Sequence, residues 1–288
     1  MRRIWSGWQT RRVADSQHRC RSCHSYFNAY AHTPYDPPQE YAALYEETDL
    51  KPPEYWGAVT AIDACVGRLM EKLDALGLRD HTLVIFTSDH GDHFGLRPGG
   101  SAHKEVPYDD AARVPLILRL PGMFEGGKVR SELASNVDLM PTILDVAGVA
   151  APPGLQGASL VPLSRGEAKG WRTLVCTENG KGATAQTGAD SRGIRTDRYK
   201  LILRQKVGKG VPGLYELYDL ETDPLEKTNL FSQGQADIIR GILDPFEAWA
   251  KSTGDALGLE MAAKCRKSLE ERQGRAPSSS LPFPHSPV

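Results

Sequence analysis

The feature that most limits the fold is a helical stripe running almost directly into a short, wholly apolar run. Val59, Ile62, Val66, Leu69, Met70, Leu73 and Leu76 recur at steps of three and four residues, on one face of a helix beginning near Pro53. Gly77 stands where a helix C-cap is expected. After a short connection comes Thr82-Leu83-Val84-Ile85-Phe86-Thr87, a compact apolar run that reads as a strand buried on both faces. Helix followed by doubly buried strand predicts an α/β unit with a parallel sheet.

Other elements follow from the same signals. Leu116-Ile117-Leu118-Arg119-Leu120, ahead of Pro121-Gly122, is a second candidate strand. Residues 137–147 read as a helix with Pro141 in its first turns and Gly148 at its end. From about Trp171 the character changes to short β-type segments at Thr173–Thr177, Gly193–Arg195, Tyr199–Arg204 and Leu214–Asp219, separated by glycine-rich turns. These predict a small antiparallel sheet, with one more helix between Ala236 and Lys251. Ser25–Ala31 is a candidate short strand leading into His32-Thr33-Pro34-Tyr35-Asp36-Pro37-Pro38, where three prolines demand a fixed loop. The expected organisation is an irregular tail over 1–24, an α/β core over 25–170, a small antiparallel sheet plus helix over 171–255, and a tail over 256–288. The serine- and proline-rich end after about Ala276 is expected to be disordered.

Composition narrows the partners. The 288 residues suffice for one or two domains, and a net charge of -1 argues against nucleic acid or an anionic membrane as the main partner. No apolar run approaches the roughly 20 residues that cross a bilayer. Arg2-Arg3 faintly suggests an export signal, but the apolar stretch of roughly 7–15 residues that should follow is not there, so the start reads as a basic tail and the compartment stays open. The five cysteines, Cys20, Cys23, Cys65, Cys176 and Cys265, are odd in number and scattered, which is not a disulfide framework. Cys20-Arg21-Ser22-Cys23-His24 matches the short pattern of covalent haem attachment, without an export or haem-pocket context; zinc would lack a second ligand pair.

The chemistry concentrates at Thr87-Ser88-Asp89-His90-Gly91-Asp92-His93, at the C-terminal end of the buried strand, the edge where ligand sites form in open α/β sheets. Adjacent carboxylate and imidazole groups there can coordinate a divalent cation, with Gly91 expected to let the backbone turn sharply; the plainer alternative is a polar loop cap with a helix N-cap aspartate.

Downstream lies Ser101-Ala102-His103-Lys104-Glu105-Val106-Pro107-Tyr108-Asp109-Asp110-Ala111-Ala112-Arg113-Val114-Pro115-Leu116. Strand, Ser-Asp-His-Gly, glycine-rich loop, Lys, Pro-Tyr-acid and Arg-Val-Pro-Leu together resemble the C-terminal half of the sulfatase family, within the alkaline-phosphatase-like superfamily. His32-Thr33-Pro34-Tyr35, Val137–Thr142, Gly193–Lys200 and Glu216–Pro224 resemble further family segments, in order, from about Ala31 to Leu230. The resemblance implies a partial alkaline-phosphatase-like parallel sheet flanked by helices, with a small C-terminal antiparallel subdomain. It implies Asp89 and His90 as ligands of one divalent ion, calcium first with magnesium or manganese as alternatives. It also implies Lys104 as the cation on the sulfate oxygens and the nucleophile, and His32 as the imidazole that holds or protonates the leaving-group oxygen. These roles suit sulfuryl transfer, which moves negative charge onto peripheral and bridging oxygens. Each has a plainer alternative: Lys104 as a surface lysine, His32 as the anchor of a turn. Arg113 reads as a structural ion-pair partner, the Tyr108-Asp109 pair as packing for the loop, and His93 and His103 receive no role.

The family's nucleophile motif, Cys/Ser-x-Pro/Ala-x-Arg, does not occur in these residues, nor does the aspartate pair that completes the metal shell. A divalent ion held by one carboxylate and one imidazole is expected to bind weakly, since hard cations gather about six oxygens. A parallel sheet lacking its first strands exposes an edge suited to self-association. The leading expectation is a sulfuric ester hydrolase acting on a small-molecule or glycan sulfate ester, incomplete and poorly active as this chain alone. The alternatives are a phosphonate or phosphodiester hydrolase of the same superfamily, a non-catalytic remnant, and a c-type haem protein.

Overall fold

The computed structural model describes residues 9–14, 20–25, 30–50, 52–94, 96–97, 104, 107–180, 190–205 and 214–273, with the backbone alone for 9–14 and 20–24. The chain divides into two compact units. One comprises Met1–Val84, Leu118–Gly126 and Ile143–Ala151, the other Ile85–Ile117, Gly127–Thr142 and Pro152–Val288. The expected boundary at residue 170 therefore does not separate the units.

In the first unit, β1 (Gln9–Ala14) and β2 (Cys20–Ser25) pair as an antiparallel hairpin, where the sequence suggests an irregular tail. Alternation is too weak there to signal strands. Ser25–Ala31, the expected strand, contributes Ser25 to the end of β2, and Tyr30 and Ala31 lie in a turn. The side chains of the Cys20–His24 pattern lie outside the described residues. The short α1 (Gln39–Ala42) precedes α2 (Pro53–Ala75), whose first residue is a proline, suited to a position with no intrahelical N–H to give. Leu76 ends α2, and Gly77 at φ 64 lets Gly77 N–H reach Asp74 O at 2.9 Å and Leu78 N–H reach Leu73 O at 2.9 Å, a Schellman closure. The stripe from Val59 to Leu76 is half-buried or exposed. The fully buried residues of α2 are the small Gly57, Ala58 and Ala61, and a Cβ on Gly57 would stand 2.7 Å from the backbone of Ala42.

The strands β3 (Val84–Thr87) and β4 (Leu116–Arg119) form a two-stranded sheet. All four β3 residues are half-buried, which corrects the expectation of a strand buried on both faces: β4 is its one sheet partner among the described residues. Between these strands lies the one-turn α3 (Asp109–Ala112), and after them α4 (Leu139–Ala147) follows a 3-10 turn over Asn136–Asp138. Asp138, fully buried, takes a bidentate hydrogen bond from Arg172 at 2.6 and 2.8 Å together with the N–H groups of Ser135 and Ala158.

The second unit is built on a four-stranded antiparallel sheet. After α5 (Val161–Ser164) come β5 (Val175–Asn179), β6 (Ser191–Arg195), β7 (Tyr199–Arg204) and β8 (Tyr215–Asp219), adjacent in chain order. Two helices complete it, α6 (Ala236–Thr253) and α7 (Ala256–Gln273). Strand alternation sorts the side chains to two faces. Ile194, Leu201, Leu203 and Leu217 form one buried core with Ile239, Leu243 and Phe246 of α6 and Met261, Cys265 and Leu269 of α7. The other face carries Lys200, Ile202, Arg204, Glu216 and Tyr218, equally buried because Pro107–Asp110 covers them; a Cβ on Gly193 would stand 2.5 Å from Pro107.

Helix α7 corrects the reading of 256–288 as a tail. Gly254, at φ 76, ends α6, and Asp255 caps α7 by accepting Gly258 N–H at 3.0 Å. The residues after Gln273 lie outside the described ones. Asp255 also accepts both Nε and Nη2 of Arg192 at 2.7 Å. Those charge-assisted bonds hold its carboxyl below the ordinary value of 3.8, so the unfolded chain binds the proton more readily than the folded one. The stabilisation is thus complete above that range and is lost as pH falls through the folded value. The melting temperature is expected to fall on acidification from about pH 6 to about pH 3, and Asp255→Asn to flatten part of that fall. Equal acid slopes in both proteins would show that the pair does not contribute.

No helix among the described residues is long and apolar enough to cross a membrane.

Candidate functional site

The loop leaving β3 is shaped by its own polar groups. Ser88 Oγ donates to His90 O at 2.8 Å, His90 N–H to Asp89 Oδ1 at 3.0 Å, and Asn136 Nδ2 approaches Ser88 O at 3.4 Å. Asp89 Oδ1 is thereby occupied by the loop, while Oδ2 lies 3.6 Å from His90 Nε2 on a side chain 70% exposed. His90 Nδ1 is 2.7 Å from Gly91 O. A carbonyl only accepts, so Nδ1 carries the proton and Nε2 the lone pair. Lys104 Nζ stands 2.8 Å from that lone pair. The adjacent Asp89 and His90 thus meet Lys104, 14 residues further on, around one nitrogen.

The Asp89 carboxylate oxygen and the His90 Nε2 nitrogen are the types of donor a divalent cation takes, and the Lys104 ammonium stands beside that nitrogen. Among the described residues, no group of three or more His, Cys, Asp or Glu is gathered to hold a metal. The donors therefore fit a fraction of a divalent shell.

Gly91 serves for a reason other than the expected sharp turn. Its φ is not left-handed; instead its N–H donates to Ala111 O at 2.8 Å, and a Cβ would lie 2.1 Å from Asp110 O. The loop rests directly on α3, where only hydrogen fits.

His32 belongs to the first unit. It is exposed, its Nδ1 2.8 Å from Thr33 O, and its carbonyl accepts Tyr35 N–H at 2.9 Å, so it does anchor a turn. His93 is 1% exposed; His103 lies outside the described residues.

Several residues shape the loop without a signal in the sequence. Arg97 donates Nε to Asp110 Oδ2 at 2.5 Å and Nη1 to Leu225 O at 2.8 Å, lies 3.2 Å from Glu226 Oε2, and stacks over the Tyr108 ring at 4.5 Å. Glu226 Oε2 also accepts Asp109 N–H at 2.7 Å, and Lys200 bridges Glu226 and Asp109. Burial alone would raise the Asp109 carboxyl, but Lys200 and Arg195 together hold it below its ordinary value. Burial raises that of Glu226 despite Lys200. Nothing local signals this pairing, because the partners lie 117 to 129 residues apart. Tyr108 and Asp109 do pack the loop, as expected.

Comparison with known proteins gives this arrangement its context. Residues 100–246 match the family model described as N-sulphoglucosamine sulphohydrolase, C-terminal, and residues 22–149 match the one described as Sulfatase. An N-acetylglucosamine-6-O-sulfatase from Bacteroides thetaiotaomicron is 34% identical over 186 residues, covering 63% of this chain and 32% of that protein. A solved structure, described as being in complex with its substrate D-glucosamine-2-N,6-O-disulfate, aligns with TM-score 0.63 at 30% identity over 74% of this chain and 45% of that one. The phosphonate monoester hydrolase of Agrobacterium radiobacter aligns with TM-score 0.57 at 29% identity over 70% of this chain and 41% of that one. The chain spans about a third to a half of the length of the first curated relatives it matches. With its α/β fold of the alkaline-phosphatase-like type, this chain belongs to the sulfatase family.

Proposed function

We propose that this chain supplies the cation- and sulfate-binding portion of a sulfuric ester hydrolase and is poorly active alone. The observation that carries this reading is the meeting of Asp89, His90 and Lys104 around His90 Nε2. Sulfatases generally bind a divalent metal; here Asp89 Oδ2 and His90 Nε2 would hold one such ion, calcium first, with magnesium or manganese as alternatives, once the Lys104 ammonium has left the Nε2 lone pair for the sulfate. When bound, that ion supplies Lewis-acid stabilisation of charge on the sulfuryl oxygens.

The chain's own groups do the rest. Lys104 places a positive charge beside the sulfate, where negative charge grows in the transition state. His32, its Nδ1 tied to Thr33 O, holds the ester oxygen of the leaving group or delivers a proton to it. Likeness to an N-acetylglucosamine-6-O-sulfatase and to a structure in complex with D-glucosamine-2-N,6-O-disulfate supports a sulfated amino sugar as the ester. Likeness to a phosphonate monoester hydrolase supports a second reading, hydrolysis of phosphonate or phosphate esters on the same frame.

The test is a calcium titration of the purified chain, following the ring nitrogens of His90 by NMR. Binding near the weak end of protein sites, about 10⁻³ M, is expected, and Asp89→Ala should weaken it at least about tenfold. A folded chain whose His90 signals ignore calcium, magnesium and manganese would overturn the cation-site reading. Hydrolysis of 4-nitrophenyl sulfate is measured alongside, with 4-nitrophenyl phosphate and a phenylphosphonate ester for comparison. Negligible turnover of all three is expected; calcium-dependent sulfate turnover lost in Asp89→Ala would overturn the claim of poor activity. Selective phosphonate turnover would favour the second reading.

A further inference from the structure

The single turn α3 is fastened through its first residue, Asp109. The Asp109 carboxylate accepts Arg195 Nη1 of β6 at 2.8 Å on Oδ2 and Lys200 Nζ of β7 on Oδ1. Its backbone N–H donates to Glu226 Oε2 at 2.7 Å. Lys200 and Glu226 are 2% and 3% exposed, so salt and water screen these bonds little. Two residues further along the turn, Ala111 O accepts Gly91 N–H at 2.8 Å. The carbonyl of the same Gly91 lies 2.7 Å from His90 Nδ1. One series of bonds thus leads from β6 and β7 through Asp109, α3 and Gly91 to the His90 ring. The turn between is closed by Ala112 N–H on Tyr108 O at 2.8 Å and Arg113 N–H on Asp109 O at 2.9 Å.

We propose that Asp109 is a positioning residue for the His90 imidazole: by fastening α3 to the sheet it places the Ala111 carbonyl, and through Gly91 it sets the direction in which Nε2 offers its lone pair. The use of that lone pair for a cation rests on the reading given above; the positioning does not. Two physical reasons support it. One turn of helix has too few bonds of its own to keep a fixed place, so its location comes from ties to other elements. An imidazole that offers one nitrogen takes its orientation from whatever holds the other. Here the holder is Gly91 O, and Gly91 in turn rests on α3.

The experiment compares the full chain with Asp109→Asn and Asp255→Asn. Asparagine keeps the shape but turns one acceptor oxygen into a donor, which then faces Lys200 or Arg195. Asp255→Asn is the control for stability: it breaks the pairing with Arg192 on the opposite face of the sheet and leaves every bond of α3 in place. The Gly91 amide is expected to exchange its hydrogen at least about tenfold faster in Asp109→Asn than in Asp255→Asn, because its bond to Ala111 O opens locally. The ¹⁵N signals of both His90 ring nitrogens should move in Asp109→Asn and stay at their wild-type positions in Asp255→Asn. The calcium concentration that half-saturates the chain should rise at least about tenfold in Asp109→Asn, as when a partner supporting a metal ligand is removed. A cooperatively folded Asp109→Asn whose Gly91 exchange and His90 signals match those of Asp255→Asn would make Asp109 a stability residue only and overturn the proposal. If Asp109→Asn does not fold, Arg195→Gln, which removes one of the two cations on Asp109, is measured the same way: faster Gly91 exchange with moved His90 signals supports the proposal, and unchanged values overturn it. A wild-type chain that binds no divalent ion would count against the cation-site reading, while Gly91 exchange and the His90 signals would still decide the role of Asp109.

Discussion

Gly91→Ala is expected to cost the fold more than the roughly 1–3 kcal/mol usual for overpacking and to separate His90 from Lys104. The added methyl would stand 2.1 Å from Asp110 O and 3.1 Å from Asp110 C, inside any tolerable contact. Neither side can yield cheaply. The obstructing atom is backbone, α3 is closed by Ala112 N–H on Tyr108 O and Arg113 N–H on Asp109 O, and Asp110 is gripped by Arg97 at 2.5 Å. The site loop must therefore lift, breaking the Gly91 N–H bond to Ala111 O and carrying His90 Nε2 out of the 2.8 Å contact with Lys104. Urea unfolding of both proteins, with the His90 ring signals as a local probe, measures each effect. A variant as stable as the wild type, with His90 unmoved, would mean that the loop does not rest on α3.

Glu216→Ala is the second large loss, expected at about 3–5 kcal/mol, the range for breaking a buried ion pair by removing one partner. Glu216 is fully buried and accepts four hydrogen bonds: Tyr108 OH at 2.5 Å, Tyr218 OH at 2.7 Å, and Arg204 through Nη2 at 2.8 Å and Nε at 3.1 Å. Burial, reinforced by the Glu216 charge, pushes both tyrosine hydroxyls far above their ordinary value, so they remain neutral donors. Alanine would strand the Arg204 guanidinium, 4% exposed, and two hydroxyls without their acceptor. The midpoint of urea unfolding reads the effect. A loss under about 1 kcal/mol would show that water reaches this face. Replacing both charged partners, as in Glu216→Leu with Arg204→Met, should recover much of the loss, because no uncompensated charge then stays inside.

Both predictions concern contacts that are least legible in the sequence. Tyr199–Arg204 reads as a strand from its alternation, and the structure gives β7 the same ends. That pattern cannot tell whether Lys200 and Arg204 meet water or protein. Both are buried because Pro107–Asp110, 91 residues before Lys200 at Asp109, lies over them. The same limit hides Arg97 and Glu226, whose partners are remote in the chain. Helix α7 is more accessible: Asp255 as a cap, then Met261, Ala262, Cys265 and Leu269 at helical spacing, form a signal masked by the polar end of the chain.

Features that depend on neighbours along the chain are readable from the residues alone. They include the helix from Pro53 closed at Gly77, the strands β3, β4, β7 and β8, helix α6, and the ordered motifs that mark the sulfatase family. Backbone periodicity and capping act within a few residues, so they can be read in one dimension. Packing in three dimensions settled which charges are buried, that Gly91 is needed for space rather than for turning, and that one glutamate ties Arg97 to the Asp109 N–H. Those outcomes depend on a buried polar group finding a partner through space, because one left without is costly. Spacing along the chain does not encode that pairing.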